Sequence, residues 1–267
     1  MTDLSGKASQ TSMGAGEWAS IRKVGFDAPW RWLGAGWNDL WANPSASLPF
    51  GIIAFAGAVM IAGTLFEIRA LPALLPLYGG FLLLGPLFAV GLYDISRQRE
   101  KGFYPSLRTA IGASYTASGR LALFGVVLLL IYFFWVRLAF LIFMLFFGTE
   151  NLPPLEIFIP RLLFTTEGLG LLVVGTAVGA ILSAVSFALS AIAVPMIFDR
   201  QTDPITAASV SVQSVVRNTK AMALWAVLIV AATVTGFATL FLGLIVVFPL
   251  LGHASWHAYR DLVAFHE

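Results

Sequence analysis

Five long apolar runs dictate what this chain can become: Leu48–Phe66, Leu71–Ile95, Leu121–Phe147, Leu169–Phe198 and Ala221–Trp256. A helix of about 20 apolar residues crosses the roughly 30 Å hydrocarbon core of a bilayer, and each of the first four runs fits one such helix. The fifth holds 36 residues, which as a single helix would measure about 54 Å, far more than one crossing needs. Splitting it near Thr235-Gly236 gives two short helices in a tight hairpin. The expected fold is therefore an all-α membrane protein with a bundle of six transmembrane helices; five is the alternative count. Composition agrees. Hydrophobic residues make up 58% of the chain and charged residues 11%, against about 25% charged in soluble domains. The absence of cysteine excludes disulfides, iron–sulfur clusters and thiolate metal sites. A net charge of +2 gives no reason to expect a nucleic-acid partner.

Residues 1–45 lack the short apolar core and small-residue cleavage site of a signal peptide, so the first span is expected to act as the targeting signal. Residues 1–20, rich in Ser, Gly and Thr, read as a disordered tail, and residues 21–264 as the membrane domain. Thirteen of the sixteen basic residues fall on one side of a six-span arrangement, while Arg69 and Arg161 share the other with Glu67, Glu150, Glu156 and Glu167. By the positive-inside bias both termini are cytoplasmic.

The chain also repeats itself. Pro29…Asn43 and Pro204…Asn218 enclose the same interval just before a span, and Gly80 and Pro86 stand opposite Gly243 and Pro249 at a constant offset. Three units follow, at about residues 27–100, 101–200 and 201–264, each an interfacial amphipathic helix and a two-span hairpin. Trp30, Leu33, Trp37, Leu40 and Trp41 form one stripe; Ile205, Ala208, Val212, Val215 and Val216 form another. Such stripes suit helices lying in the membrane interface. Units with an even number of spans keep one orientation, which points to three hairpins around a pseudo-threefold axis.

Several segments carry a family resemblance: Gly36-Trp37-Asn38-Asp39-Leu40, Gly85-Pro86-Leu87, Pro195-Met196-Ile197-Phe198-Asp199, and Pro249-Leu250-Leu251-Gly252-His253-Ala254 through Trp256-His257-Ala258-Tyr259-Arg260. Over roughly residues 20–264 the chain resembles the bacterial integral membrane family catalogued as domain of unknown function 2189. The resemblance implies a bacterial inner-membrane protein and no particular substrate.

Candidate sites are few. His253 and His257 stand four apart on one helix face, a spacing that suits a metal or haem edge, hydrogen bonds across the bundle, or lipid phosphates. Arg137 interrupts an apolar run, where a lone cation faces the bundle, binds an anion or snorkels outward. Asp94 and Asp199 end two spans and could form a charge ring with Arg97 and Arg200. Gly175, Gly179 and Ser183 make a small-residue stripe for close helix packing. The proposed lipid-headgroup corner gathers His253, Trp256, His257 and Arg260 beside the helix opened by Pro204, with Tyr93, Asp94 and Arg97 beside the tryptophan-rich helix. Imidazole, indole and guanidinium groups there would suit an anionic lipid.

No Walker A loop, His-Glu-x-x-His motif or Gly-x-Ser-x-Gly elbow occurs, and no cofactor is expected. The leading expectation is a non-enzymatic scaffold, accessory or envelope-homeostasis factor. A transporter or channel for a small or anionic solute or lipid is the alternative, and a metal- or haem-bearing enzyme the third class. Expected partners are the bilayer, with anionic lipids, and a second copy or a membrane complex.

Overall fold

The structure, a computed structural model, describes residues 19–115, 119–148 and 153–265. Most of the expected tail, with Lys7, and the outer-loop acid Glu150 lie outside the described residues. Ala19 and Ser20, assigned to that tail, instead belong to strand β1 (Ala19–Ile21).

Helix α1 (Ala28–Ala42) opens with Pro29 in its first turn, where the missing N–H costs nothing. It stops at Asn43, whose backbone (φ −140°, ψ 61°) turns the chain directly into α2 (Pro44–Glu67). The return path is broken: α3 (Leu74–Phe88) gives way at Ala89 to α4 (Val90–Glu100). Pro86 withdraws a backbone donor just before the break. After α5 (Leu107–Tyr115) and the long α6 (Gly119–Phe147) come α7 (Leu155–Phe164) and α8 (Thr166–Ser190). A second break leads into α9 (Ala193–Arg200), where the buried Ser211 hydroxyl accepts the freed Ile192 N–H at 3.1 Å. Helix α10 (Pro204–Arg217) starts at Asp203, whose carboxylate accepts the Thr206 N–H. It ends at Asn218 (φ −122°, ψ 37°), which turns the chain into α11 (Thr219–Ala238) as Asn43 does into α2. Helix α12 (Leu244–Leu262) and strand β2 (Val263–Phe265) complete the described residues.

Among the described residues four helical segments are long and apolar enough to cross a membrane: 44–67, 119–147, 166–200 and 219–238. The sequence led to six. The second expected span is divided, so that α3 alone reaches only about 22 Å while α4 carries Asp94, Arg97, Arg99 and Glu100. The last expected span, α12, turns polar from His253 onward. Its hairpin bends at Leu240 and Phe241, both at positive φ, and not at Thr235-Gly236. Gly236 stays within α11 and lies where the two arms touch: a Cβ there would come 2.8 Å from Leu244 Cδ2.

Each short surface helix packs on a helix of another expected unit. Helix α1 packs on α12, α5 on α4, and α10 on α8 and α9. The histidine-bearing helix therefore lies beside the tryptophan-rich helix, correcting the expected placement beside the Pro204 helix. The physical reason is close backbone approach: Gly36 lets α1 sit against the α12 backbone at Leu250 and Ala254, while Asp39 of the same helix still reaches Ser96 and Arg99 of α4.

The two ends meet on one face, where β1 and β2 pair antiparallel with Ser20 opposite Ala264. Asn218 fastens this strap. Its Oδ1 accepts the Val24 N–H at 2.9 Å and its Nδ2 donates to the Arg22 carbonyl at 3.0 Å. Asn218→Ala should cost about 1–3 kcal/mol and speed trypsin cleavage after Arg22 and Lys23. Unchanged cleavage in detergent would show that the strap holds without it.

Candidate functional site

The polar centre of the molecule lies where α1, α2, α4 and α12 converge. Gly36 lets α1 approach the α12 backbone, for a Cβ there would sit 2.7 Å from the Ala254 nitrogen. This close approach brings Asp39 of α1 onto α12, and three donors converge on its carboxylate. Ser96 Oγ donates to Oδ2 at 2.5 Å, and His257 Nε2 reaches the same oxygen at 2.8 Å. Arg99 Nη1 donates to Oδ1 at 2.7 Å. The chain continues inward, with His253 Nδ1 2.8 Å from Ser96 Oγ and His253 Nε2 2.9 Å from Ser47 Oγ. Ser47 and His253 have no exposure at all.

The hydrogens can be assigned by inventory. Ser96 has one hydroxyl hydrogen, given to Asp39, so the Nδ1–H of His253 donates to Ser96. In a neutral imidazole Nε2 then accepts the Ser47 hydrogen, which closes the Asp39–Ser96–His253–Ser47 series. Burial works to raise the Asp39 pKa. Hydrogen bonds from His257 and Ser96, with the field of the two imidazoles, outweigh it and hold the carboxyl below its ordinary value of 3.8. A serine donating to an imidazole has the order of a nucleophile–base pair; here both groups are fully buried.

The other sequence candidates fall around this centre. Trp256 is almost fully buried, stacked on Tyr93 at 6.5 Å and edge-on to Tyr259 at 5.5 Å. It is a core residue and not an indole at headgroup level. Its Nε1 has no hydrogen-bond partner. Asp94 is held by Arg97 Nη2 at 2.7 Å and Gln98 Nε2 at 2.5 Å, and the Arg97 guanidinium covers the Phe198 ring. Asp199 accepts the Tyr259 hydroxyl and pairs with Arg200. Arg260 bonds Glu100 at 3.1 Å and borders a polar cleft shared with Arg22 and Arg200.

The headgroup corner is thus divided. His253 and His257 are engaged with Asp39, Ser96 and Ser47, Trp256 is in the core, and only Arg260 reaches a polar cleft. The histidine pair has little left for a metal, since both nitrogens of His253 and Nε2 of His257 are spent on protein partners. Among the described residues no three His, Asp or Glu side chains form a metal-ligand group.

Arg137 faces outward on α6, exposed among Phe133, Phe134 and Leu141. This orientation fits the snorkelling alternative and not a bundle-facing ligand contact. In the small-residue stripe, Gly179 meets the Trp135 ring of α6. Gly175 meets only its own helix, and Ser183 lines a cavity, so the stripe is not one packing seam. Around α1 the tryptophan stripe points out: Trp30, Trp37 and Trp41 are exposed, whereas Trp32, Gly36 and Asp39 are buried. Helix α10 repeats this, with Ile205 and Val216 outward and Ala207, Ser211 and Ser214 inward. The expected stripes are therefore not wholly outward: Leu40 of the first is fully buried, and Trp32 of α1 and Val210 of α10 also face the protein.

The exposed apolar exterior and four membrane-length helices identify an integral membrane protein. Residues 74–199 match the model of the DUF2189 family, described as a predicted integral membrane protein. The DUF2189 match runs from α3 through α9 and is narrower than the resemblance drawn from sequence. The Asp39 and His253 helices lie outside it. No curated protein and no solved structure matches the chain.

The sequence reading missed Asp39, Ser96, Arg99 and Ser47. Asp39 stood inside the Gly36–Leu40 segment, and an acid three residues after a glycine on an interfacial helix was the available signal. The two serines carried none.

Proposed function

We propose that this is a non-enzymatic protein of the bacterial inner membrane, acting as a scaffold, accessory or envelope-homeostasis factor. Its six spans form three hairpin units around a pseudo-threefold axis, with both termini cytoplasmic. The broken α3–α4 and the short apolar half of α12 serve as the second and sixth crossings. Three things support the architecture: the cyclic packing of α1 on α12, α5 on α4 and α10 on α8–α9, the paired ends, and the one-sided basic residues. The observation that carries the non-enzymatic reading is the internal closure of the Asp39–Ser96–His253–Ser47 chain. Its polar atoms bind one another, and the arrangement clamps the surface helix to the bundle.

C-terminal fusions test the topology. Green fluorescent protein at the C-terminus is expected to fluoresce and alkaline phosphatase to stay inactive. An active phosphatase would overturn the even span count. One observation favours the second reading, a transporter or channel handling lipid: an apolar cavity between α8 and α11. Lipid flipping by the reconstituted protein, above empty vesicles, would favour that reading over a static scaffold.

A further inference from the structure

Two of the long helices lie directly against a returning helix. Helix α2 meets α12, with Gly51 against the Ile245 backbone, and α6 meets α3, where Trp135 Nε1 donates to the Pro76 carbonyl at 2.6 Å. The corresponding third pair, α11 and α8, stands apart, and a cavity of about 830 Å³ occupies the gap. That size falls within the range of small-molecule sites, roughly 300–1,000 Å³.

The cavity opens sideways. Val227, Val230 and Val234 of α11, with Ala180, Ser183 and Ala184 of α8, line it and are also exposed on the outer surface. These residues lie within two of the membrane-length helices, so the opening faces hydrocarbon. Along α11 the lining extends from Thr219 to Phe237, about 27 Å at 1.5 Å per residue, which suits an extended chain better than a compact solute. The walls are mostly Ala, Val, Ile and Phe, without a charged side chain.

Polar side chains stand at both ends. Tyr93, Ser190, Thr219 and Ser255 line it beside the breaks after Phe88 and Ser190, while Tyr78 and Thr233, further along, already give their hydroxyls to the Ala58 and Ile229 carbonyls. The exposed Lys220 follows Thr219 in the first turn of α11. Ser186, only 1% exposed, also lines the cavity, and its hydroxyl has no hydrogen-bond partner. Irregular backbone at membrane depth is tolerated where it is buried or lines a cavity. A buried hydroxyl without a partner is costly unless a ligand completes it.

We propose that this cavity takes one acyl chain of a bilayer phospholipid, admitted sideways between α8 and α11. The ester and phosphate lie at the end marked by Thr219 and Lys220, with an ester carbonyl as the acceptor for the Ser186 hydroxyl. The inference rests on the integral-membrane reading and is independent of the number of spans or of enzymatic activity.

Photolabelling of the full chain tests it, in phosphatidylethanolamine–phosphatidylglycerol vesicles containing a phospholipid with a diazirine in its acyl chain. Label is expected on inward Phe187, Ile229 and Phe248, which line the cavity and keep surface open to it, as well as on outward Val173 and Leu130. Ala226→Trp, which fills the cavity, should abolish the inward label while leaving the outward label and the unfolding temperature unchanged. Ala184→Trp serves as the second variant should Ala226→Trp misfold, and Lys220→Glu should weaken inward labelling by the anionic lipid. Outward label alone in the wild type would overturn the acyl-chain site, as would inward label that survives both fillings or crosslinks from these residues to a second copy. Absence of label at Val173 and Leu130 as well would instead overturn the membrane reading.

Discussion

Asp39→Ala is expected to destabilise the protein by about 3 kcal/mol, because it strands several donors at once. Ser96 is 1% exposed and would lose the acceptor for its hydroxyl hydrogen. Arg99 would lose its carboxylate partner, and His257 its Nε2 partner. The pH dependence has a definite sign. A carboxyl whose folded pKa lies below its unfolded value adds stability at neutral pH, and this is lost as pH falls through the folded value. For Asp39 the folded value is below 3.8. The gap between wild type and Asp39→Ala should therefore be constant from about pH 7 to pH 5 and narrow below about pH 4. Thermal unfolding in detergent at these pH values measures it. Equal stability of the two proteins at pH 7 would show that the cluster is incidental to the packing of α1 on α12.

The parts of this fold legible in sequence were those governed by composition and local backbone rules. Long apolar runs read directly as helices, and proline and asparagine at Pro29–Asn43 and Pro204–Asn218 marked the ends of the two surface helices. Placement across the fold was less legible. The direction in which α1 faces is set by Gly36 meeting Ala254, a contact between positions more than 200 residues apart that no periodicity reveals. The outward tryptophans were recognisable because interfacial helices favour them. The inward Asp39 was not, since an acid on such a helix ordinarily points to water. Ser47 and Ser96 acquire meaning only through His253, and Arg137 could be assigned outward only when its neighbours on α6 had positions. The break after Phe88 illustrates the same limit. Pro86 was visible, but proline is tolerated within membrane helices, so its presence alone did not divide the run.

The second large effect is expected at Gly51, where α2 crosses α12. A Cβ on this residue would overlap the Ile245 carbonyl group and its Cα. These are backbone atoms, with no rotamer through which to withdraw, so the helices must separate. Gly51→Ala should cost at least about 3 kcal/mol, at or beyond the upper end of ordinary overpacking. Gly57, less than two turns further along α2, has nothing within 4 Å of its Cβ position. Gly57→Ala should accordingly be neutral or gain up to about 1 kcal/mol from helix propensity. Comparing unfolding temperatures and monodispersity of the two variants in one detergent separates close approach from a general effect of losing glycine, and equal behaviour would reject the contact. Gly51 also stands one turn from Ser47 on the same helix face, and Ser47 reaches His253 of α12. Pushing α2 away from α12 should therefore break that hydrogen bond as well. Ser47→Ala combined with Gly51→Ala should then cost less than the sum of the single changes, since the first has little left to remove once the second has parted the helices.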